Sequence, residues 1–207
     1  TSANLSALAP EYRDAFDRTV KSMVDKGFET VEVDIEPLLD AALLLYDGAI
    51  VAQRYAAVGD FVEKGAAGLD HTVSAIVRGA KNPAAHDYVD DLATLTAARR
   101  TAATLLADVD ALVLPTTTEH PTIAAVQHDP IGINRRLGTF TNFCNLLDMA
   151  AVAVPGQETA DGHPFGVMTV TPAFADQVAL DVAARIVGAD SADMLSDEGV
   201  DLSLIHI

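Results

Sequence analysis

Three segments between Leu112 and Phe174 decide the fold: LVLPTTT at 112–118, LGTFTNFCNLLDMAAVAVPG at 137–156 and GHPFGVMTVTPAF at 162–174. Short apolar runs bounded by Pro and Gly read as buried strands, because a strand covered on both faces has no polar side to show. They predict strands over Asp110–Leu114, stopped by Pro115, over Ala151–Val154 and over Phe165–Thr171. Leu137–Met149 reads as mostly helical, and Ala175–Val187 as an amphipathic helix that closes the order. Strands alternating with helices point to an α/β class, with a mixed sheet covered by helices.

Upstream, the pattern is largely helical. Pro10 near a first helical position and Gly27 just past an end bracket a helix, with Tyr12, Phe16, Val20 and Met23 as its apolar stripe. ETVEVD at 29–34 alternates polar and apolar and predicts a short strand. Helical spacing resumes from Ile35 to Val62, loosened at Gly48. Asp70 is placed to cap a short helix through Val77. Asn82-Pro83 reads as the cap and first turn of a long helix to about Ala107. Residues 116–138, rich in Thr, Pro and Gly, read as an irregular segment long enough to be functional. Residues 1–188 form one unit by these signs. Residues 189–207 read as a polar, acidic tail whose apolar DLSLIHI close suggests a truncated or read-through end.

The chain has 207 residues, a formal charge of −17 and half its residues hydrophobic, with no Trp. That charge argues against nucleic acid, whose backbone requires a basic face, and disfavours anionic membrane surfaces. A solvated acidic surface is the simplest account of it. No apolar run approaches the roughly 18 residues of a spanning helix; LLLYDGAIVA is interrupted by Asp47. No secretory signal is legible. The single Cys144 lies in an apolar run and reads as a buried, inert thiol suited to a reducing cytoplasm.

Catalytic motifs are sparse. There is no Gly-x-Ser-x-Gly elbow, and Ser74 in HTVSAIVRGA has no adjacent base or glycine turn. Lys21, Lys26, Lys64 and Lys81 lie near helix ends in polar surroundings, without the apolar pocket that would make a lysine a base. Among His71, His86, His120, His128, His163 and His206 no pair has i, i+4 spacing, and no Cys or carboxylate cluster joins them. No metal site is expected, although His120 and His128 share the irregular segment. Carboxylate pairs such as Asp90/Asp91 and Asp108/Asp110 fit helix ends and solvation.

One pair stands above this background, Tyr46 and Arg54 in LLLYDGAIVAQRYAAV. On an uninterrupted helix their spacing gives about 12 Å of rise and about 80° of rotation, so both lean toward one cleft. An arginine among Leu, Ile, Val and Ala requires an anion, and its planar fork suits a carboxylate. Two readings remain open on the residues alone. Arg54 binds a ligand anion with Tyr46 as a second donor, or it pairs internally with Asp47, Asp60 or Asp70 while Tyr46 only packs.

The order of segments from Leu112 to Phe174 resembles the C-terminal part of the amidase signature family, and within it the allophanate hydrolases. LLLYDGAIVAQRY resembles the stretch in which a Tyr and an Arg eight positions apart grip the substrate carboxylate. HTVSAIVRGAKNPAAHDYVDDL, DVDALVLPT, Asp129-Pro130, Asn134, Leu137-Gly138-Thr139, Thr141-Asn142 and PFGVMTVTPAF are similar to that subfamily too. The likeness runs from about Tyr12 to Val187. It implies an incomplete C-terminal portion of an amidase signature fold, with Tyr46 and Arg54 as substrate-binding residues and the Thr116–Gly138 segment walling the cleft. Such enzymes cut an amide with a Ser-cis-Ser-Lys triad and a backbone oxyanion hole, without cofactor or metal. No catalytic residue falls on this chain, which would then be inactive alone and require the missing N-terminal half. The implied parent activity converts allophanate to ammonia and carbon dioxide in urea degradation, within nitrogen metabolism. A small-molecule amide is then the partner, with neither nucleic acid nor membrane, and homodimer formation is left open. Two turns depart from the pattern: Pro155 is followed directly by Gly156 where Pro-x-Gly is usual, and His163 stands where an apolar residue is common. Two rivals remain: an amidase signature enzyme acting on a neutral amide, and a non-catalytic acidic binding or assembly module.

Overall fold

The computed structural model describes residues 1, 3–65 and 67–189. The tail assigned to 189–207 lies, apart from Ala189, outside the described residues. Helix α1 spans Pro10–Asp25, with Pro at its first position and Gly27 beyond its end. Gly27 takes φ +82°, its N–H donates to Val24 O at 2.9 Å, and the Phe28 N–H donates to Met23 O at 3.1 Å. Those two bonds are the Schellman closure, which needs a left-handed residue and so selects glycine. Here a local signal was sufficient to set a boundary.

After α1 the expected strand over 29–34 does not form. Val31 is 66% exposed, and the run has no ladder partner among the described residues. Alternation supplies strand propensity, but a lone extended segment has no neighbour to satisfy its backbone. The N-terminal residues satisfy it instead. The amino group of Thr1 donates to Val33 O, and the Ile35 N–H donates to Asn4 Oδ1. The Glu36 N–H and then the Asn4 amide hold the Asp34 carboxyl below its ordinary pKa.

The helical layer follows: α2 Glu36–Asp47, a 3-10 turn at Ala49–Val51, α3 Ala52–Glu63, α4 His71–Gly79 and α5 Ala85–Leu105. Asp70 caps α4 as expected, accepting from the Val73 N–H at 2.8 Å. The long helix starts later than Asn82-Pro83 suggests, with Ala84 in the cap position and no side-chain cap bond.

Strand β1 is Leu112–Pro115. Residues 116–138 are not irregular throughout. They hold α6 Ile123–His128 and α7 Pro130–Leu137. Helices this short are marginal by propensity and depend on their caps. Thr122 Oγ1 accepts from the Ala125 N–H at 3.1 Å, and Asp129 Oδ1 from the Gly132 N–H at 2.9 Å, with Pro130 in the first turn of α7. Then come α8 Asn142–Leu147, shorter than the predicted Leu137–Met149, strand β2 Met149–Pro155, strand β3 Gly166–Pro172, and α9 Asp176–Val187.

The sheet has the order β1-β3-β2 and is antiparallel throughout. Central β3 is buried from Val167 to Thr171, whereas β2 alternates, exposing Ala151, Ala153 and Pro155. Two buried threonines on β3 fix helix to sheet: Thr169 Oγ1 donates to Ala179 O at 2.9 Å and Thr171 Oγ1 to Ala175 O at 3.1 Å. Each would otherwise leave a buried hydroxyl unsatisfied at about 1–3 kcal/mol. One core runs through both layers, joining Leu38 and Ala41 of α2, Leu95 and Ala98 of α5, Phe143 and Leu147 of α8, and Leu112, Leu114, Val167 and Val170 of the sheet. Cys144 belongs to it, and burial raises its thiol pKa to about 11, the inert state expected. Tyr12 meets Phe165 edge to face at 5.3 Å and donates its hydroxyl to Pro164 O, tying α1 to the β3 entry. At Gly156 any Cβ would lie 2.9 Å from both the Phe165 ring and Thr19 Oγ1, which explains a glycine directly after Pro155.

Candidate active site: the Tyr46–Arg54 cluster

The helix carrying Tyr46 and Arg54 is broken between them. Helix α2 ends at Asp47, Gly48 is extended at φ −82° and ψ 161°, and the 3-10 turn leads into α3. Any residue reaches those angles, so space rather than backbone freedom demands glycine. A Cβ at Gly48 would sit 2.6 Å from Asp91 Oδ2 and 2.9 Å from Leu44 O. Asp91 cannot easily withdraw, because its Oδ2 accepts from the Ile50 N–H at 2.9 Å and pins the turn to α5. Gly48→Ala is therefore expected to destabilise the protein by about 1–3 kcal/mol, the range for overpacking. A melting temperature equal to the parent's would refute that account of the break.

The break brings the pair together. The Arg54 guanidinium carbon lies 5.8 Å from the centroid of the Tyr46 ring. Its Nη2 donates to Leu45 O at 2.9 Å, one of the carbonyls left without an intrahelical partner at the end of α2. A cation there also meets the negative end of the helix dipole. The internal ion pair left open by the sequence is not formed: no carboxylate among the described residues pairs with Arg54. Asp47 is engaged by Arg135, and Asp70 caps α4. Apart from the bond to Leu45 O, the Arg54 donors are unbonded among the described residues, and so is the Tyr46 hydroxyl. Both side chains are half-buried.

A third side chain completes the cluster and was missed in the sequence. Arg135, in the last turn of α7, places its guanidinium carbon 5.3 Å from the same Tyr46 ring. It grips Asp47 with both prongs of its fork, Nη1 at 3.0 Å from Oδ2 and Nη2 on Oδ1. Neighbouring Arg136 pairs with Glu119 at 2.8 Å, while its carbonyl accepts from Thr118 Oγ1, so α7 is anchored next to β1.

The other candidates do not assemble. His128 ends α6, and the His120 ring lies 6.0 Å from His163. His163 Nδ1 lies 2.9 Å from Asp161 Oδ2, and the Thr159 hydroxyl first, then burial-opposed contacts including His163, leave the Asp161 carboxyl below its usual pKa. No group of three metal-ligating side chains is found among the described residues. Ser74 is buried on α4 without a base beside it. Two pockets, about 270 and 250 Å³, lie elsewhere: one between α1, α9 and the end of β2, the other between α2 and α5. Neither contains Tyr46 or Arg54. Their linings carry no unpaired cation facing a cluster of donors; Lys26 Nζ, in the first, donates to Ile186 O.

The sequence profile of the Amidase family matches residues 1–180. The chain belongs to the amidase family. Two relatives are urea amidolyases. That of Saccharomyces cerevisiae is 37% identical over 172 residues, which is 82% of this amidase chain and 9% of the relative. That of Lachancea kluyveri is 38% identical over 171 residues, 81% of this chain and 9% of the relative. A solved allophanate hydrolase from Kluyveromyces lactis superposes with a TM-score of 0.79 at 37% identity, over 86% of this chain and 29% of that one. A 6-aminohexanoate cyclic dimer hydrolase shares the fold at TM-score 0.66 and 22% identity. The amidase chain thus spans under a tenth of the length of the urea amidolyases it matches, and under a third of the allophanate hydrolase. No described helix is long and apolar enough to cross a membrane.

Proposed function

We propose that this chain is the carboxylate-binding portion of an allophanate hydrolase, with Arg54 and Tyr46 gripping the substrate's carboxylate. The observation that carries the reading is a half-buried guanidinium with free donors, over a tyrosine ring and without a protein carboxylate of its own. A planar carboxylate presents two acceptor oxygens to that fork, a charge-assisted pair stronger than neutral hydrogen bonds. The likeness to allophanate hydrolase and urea amidolyase supports the same substrate. The amide carbon to be attacked belongs to the other end of so small a molecule, so this chain binds and orients while the nucleophile comes from outside these 207 residues. The Ser-cis-Ser-Lys triad of the N-terminal half would supply attack, proton transfer and oxyanion stabilisation. On this reading the described residues supply one wall of the site, with Arg135 of α7 at its edge. A cytoplasmic place in urea degradation and nitrogen metabolism follows from the same reading.

The test uses the full-length enzyme. Ammonia release from allophanate is compared with release from a neutral amide of similar size. Preference for the carboxylate-bearing substrate by about 100-fold or more in kcat/KM is expected, the scale of a lost charge-assisted interaction of about 3 kcal/mol. Equal rates on both would replace this reading with a neutral-amide hydrolase.

A further inference from the structure

We propose that Arg135 is a positioning residue that keeps Arg54 open to a ligand carboxylate by holding the Asp47 carboxylate in a two-pronged ion pair. The inference rests on the reading of Arg54 as the carboxylate-binding residue and assigns the charge control of that site. Asp47 directly follows Tyr46 at the end of α2, seven positions before Arg54. Left unneutralised, it would do two things to the site. It would compete for the Arg54 donors, and it would repel an incoming anion. A negative charge at the C-terminal end of a helix is also disfavoured by the helix dipole, which gives Asp47 further reason to seek a cation.

The structure shows which cation it finds. Arg135 reaches Asp47 from another helix, 88 positions away in sequence, with both nitrogens of the fork engaged. Its guanidinium also packs against Tyr46 at 5.3 Å, opposite in role to Arg54 at 5.8 Å from the same ring. One arginine is therefore charge-paired with a carboxylate while the other is not. The side chains of Arg135 and Asp47 are 43% and 53% exposed, so this pair adds little to stability. Its consequence is local: it fixes where one negative charge sits relative to the site. Lysine could neutralise Asp47 but could not bridge both oxygens and lie on the ring at once.

The experiment is a cycle in the full-length enzyme with allophanate as substrate. Arg135→Gln is expected to raise KM about tenfold with kcat within about twofold, because only ground-state capture is impaired. Adding Asp47→Asn to Arg135→Gln is expected to restore KM to within about twofold of the parent, since no charge then competes for Arg54. A simple structural loss at Arg135 would not be rescued in this way, nor would a direct Arg135–substrate contact. An unchanged KM in Arg135→Gln, or a raised KM that Asp47→Asn does not restore, overturns the proposal. Should the single variant fail to fold, the double variant is compared with Asp47→Asn, and a KM difference of about fivefold or more between those two overturns it. Arg54→Gln measured alongside separates the two readings. If it leaves KM unchanged, both fall; if it raises KM while Arg135→Gln does not, only the role of Arg135 falls.

Discussion

Arg54→Gln in the full-length enzyme is expected to lower kcat/KM for allophanate by about 100-fold, corresponding to about 3 kcal/mol of lost charge-assisted binding. Most of that loss should appear in KM. The carboxylate is chemically unchanged while the amide is attacked, so its grip is equally strong in ground and transition states. Arg54→Lys isolates the geometry. It keeps the charge but replaces a planar fork by a single ammonium, and it gives up the reach to Leu45 O. An intermediate loss of about tenfold is expected, with stability lowered by only about 1 kcal/mol, because a hydrogen bond to Leu45 O is lost but no carboxylate partner is orphaned. Kinetics unaffected by either substitution would show that Arg54 serves only the end of α2. Tyr46→Phe tests the second donor: removing one hydroxyl should cost about tenfold or less, while the ring that both arginines face remains.

What could be read in advance follows from how local each signal is. Strands β1 and β3 were legible because they are mostly buried, and burial makes them apolar runs; β3 is covered from Val167 to Thr171, whereas β2 is apolar although its alternate residues are exposed. Helix α1 was bracketed because Pro10 and Gly27 act within one turn of its ends. The strand expected at 29–34 failed for the opposite reason. Pairing is a property of two segments, and nothing in ETVEVD says whether a partner will lie beside it. Helices α6 and α7 begin at the cap residues Thr122 and Asp129, but in a run dense with Thr, Pro and Gly such residues fit an irregular segment equally well.

The site divides along the same line. Tyr46 and Arg54 stood out by residue type and spacing, and they do face one another. Their geometry is not that of the uninterrupted helix used to argue for it, because Gly48 interrupts α2 and the chain re-enters helix four residues later at Ala52. Arg135 had no sequence signal at all. Its partner lies on another helix, and a surface arginine beside Arg136 in NRRLG resembles any solvated charge pair. Only the tertiary arrangement shows that one guanidinium is paired with a carboxylate and its neighbour is not.

Phe143→Ala is expected to produce the largest stability loss of any single change discussed, about 3–5 kcal/mol. Phe143 is fully buried on α8. That helix packs against α2, α5 and β2, so removing the ring opens a cavity where the helical layer meets the sheet. The volume cannot be refilled cheaply, because the neighbouring Phe140 and Leu147 are themselves held in the same core. Loss of stability should be seen as an earlier urea midpoint in the full-length enzyme. A second effect distinguishes this site from an ordinary core position. Helix α2 ends in Tyr46 and Asp47, so loosening its packing on α8 lets the Tyr46 ring and the Leu45 carbonyl drift from Arg54. KM for allophanate should therefore rise in Phe143→Ala at temperatures where the protein is still folded, while Phe143→Leu, which keeps most of the volume, should recover both stability and KM. A variant that loses stability yet keeps the parent KM would mean that α2 is held in place by α5 and the Asp91–Ile50 bond alone.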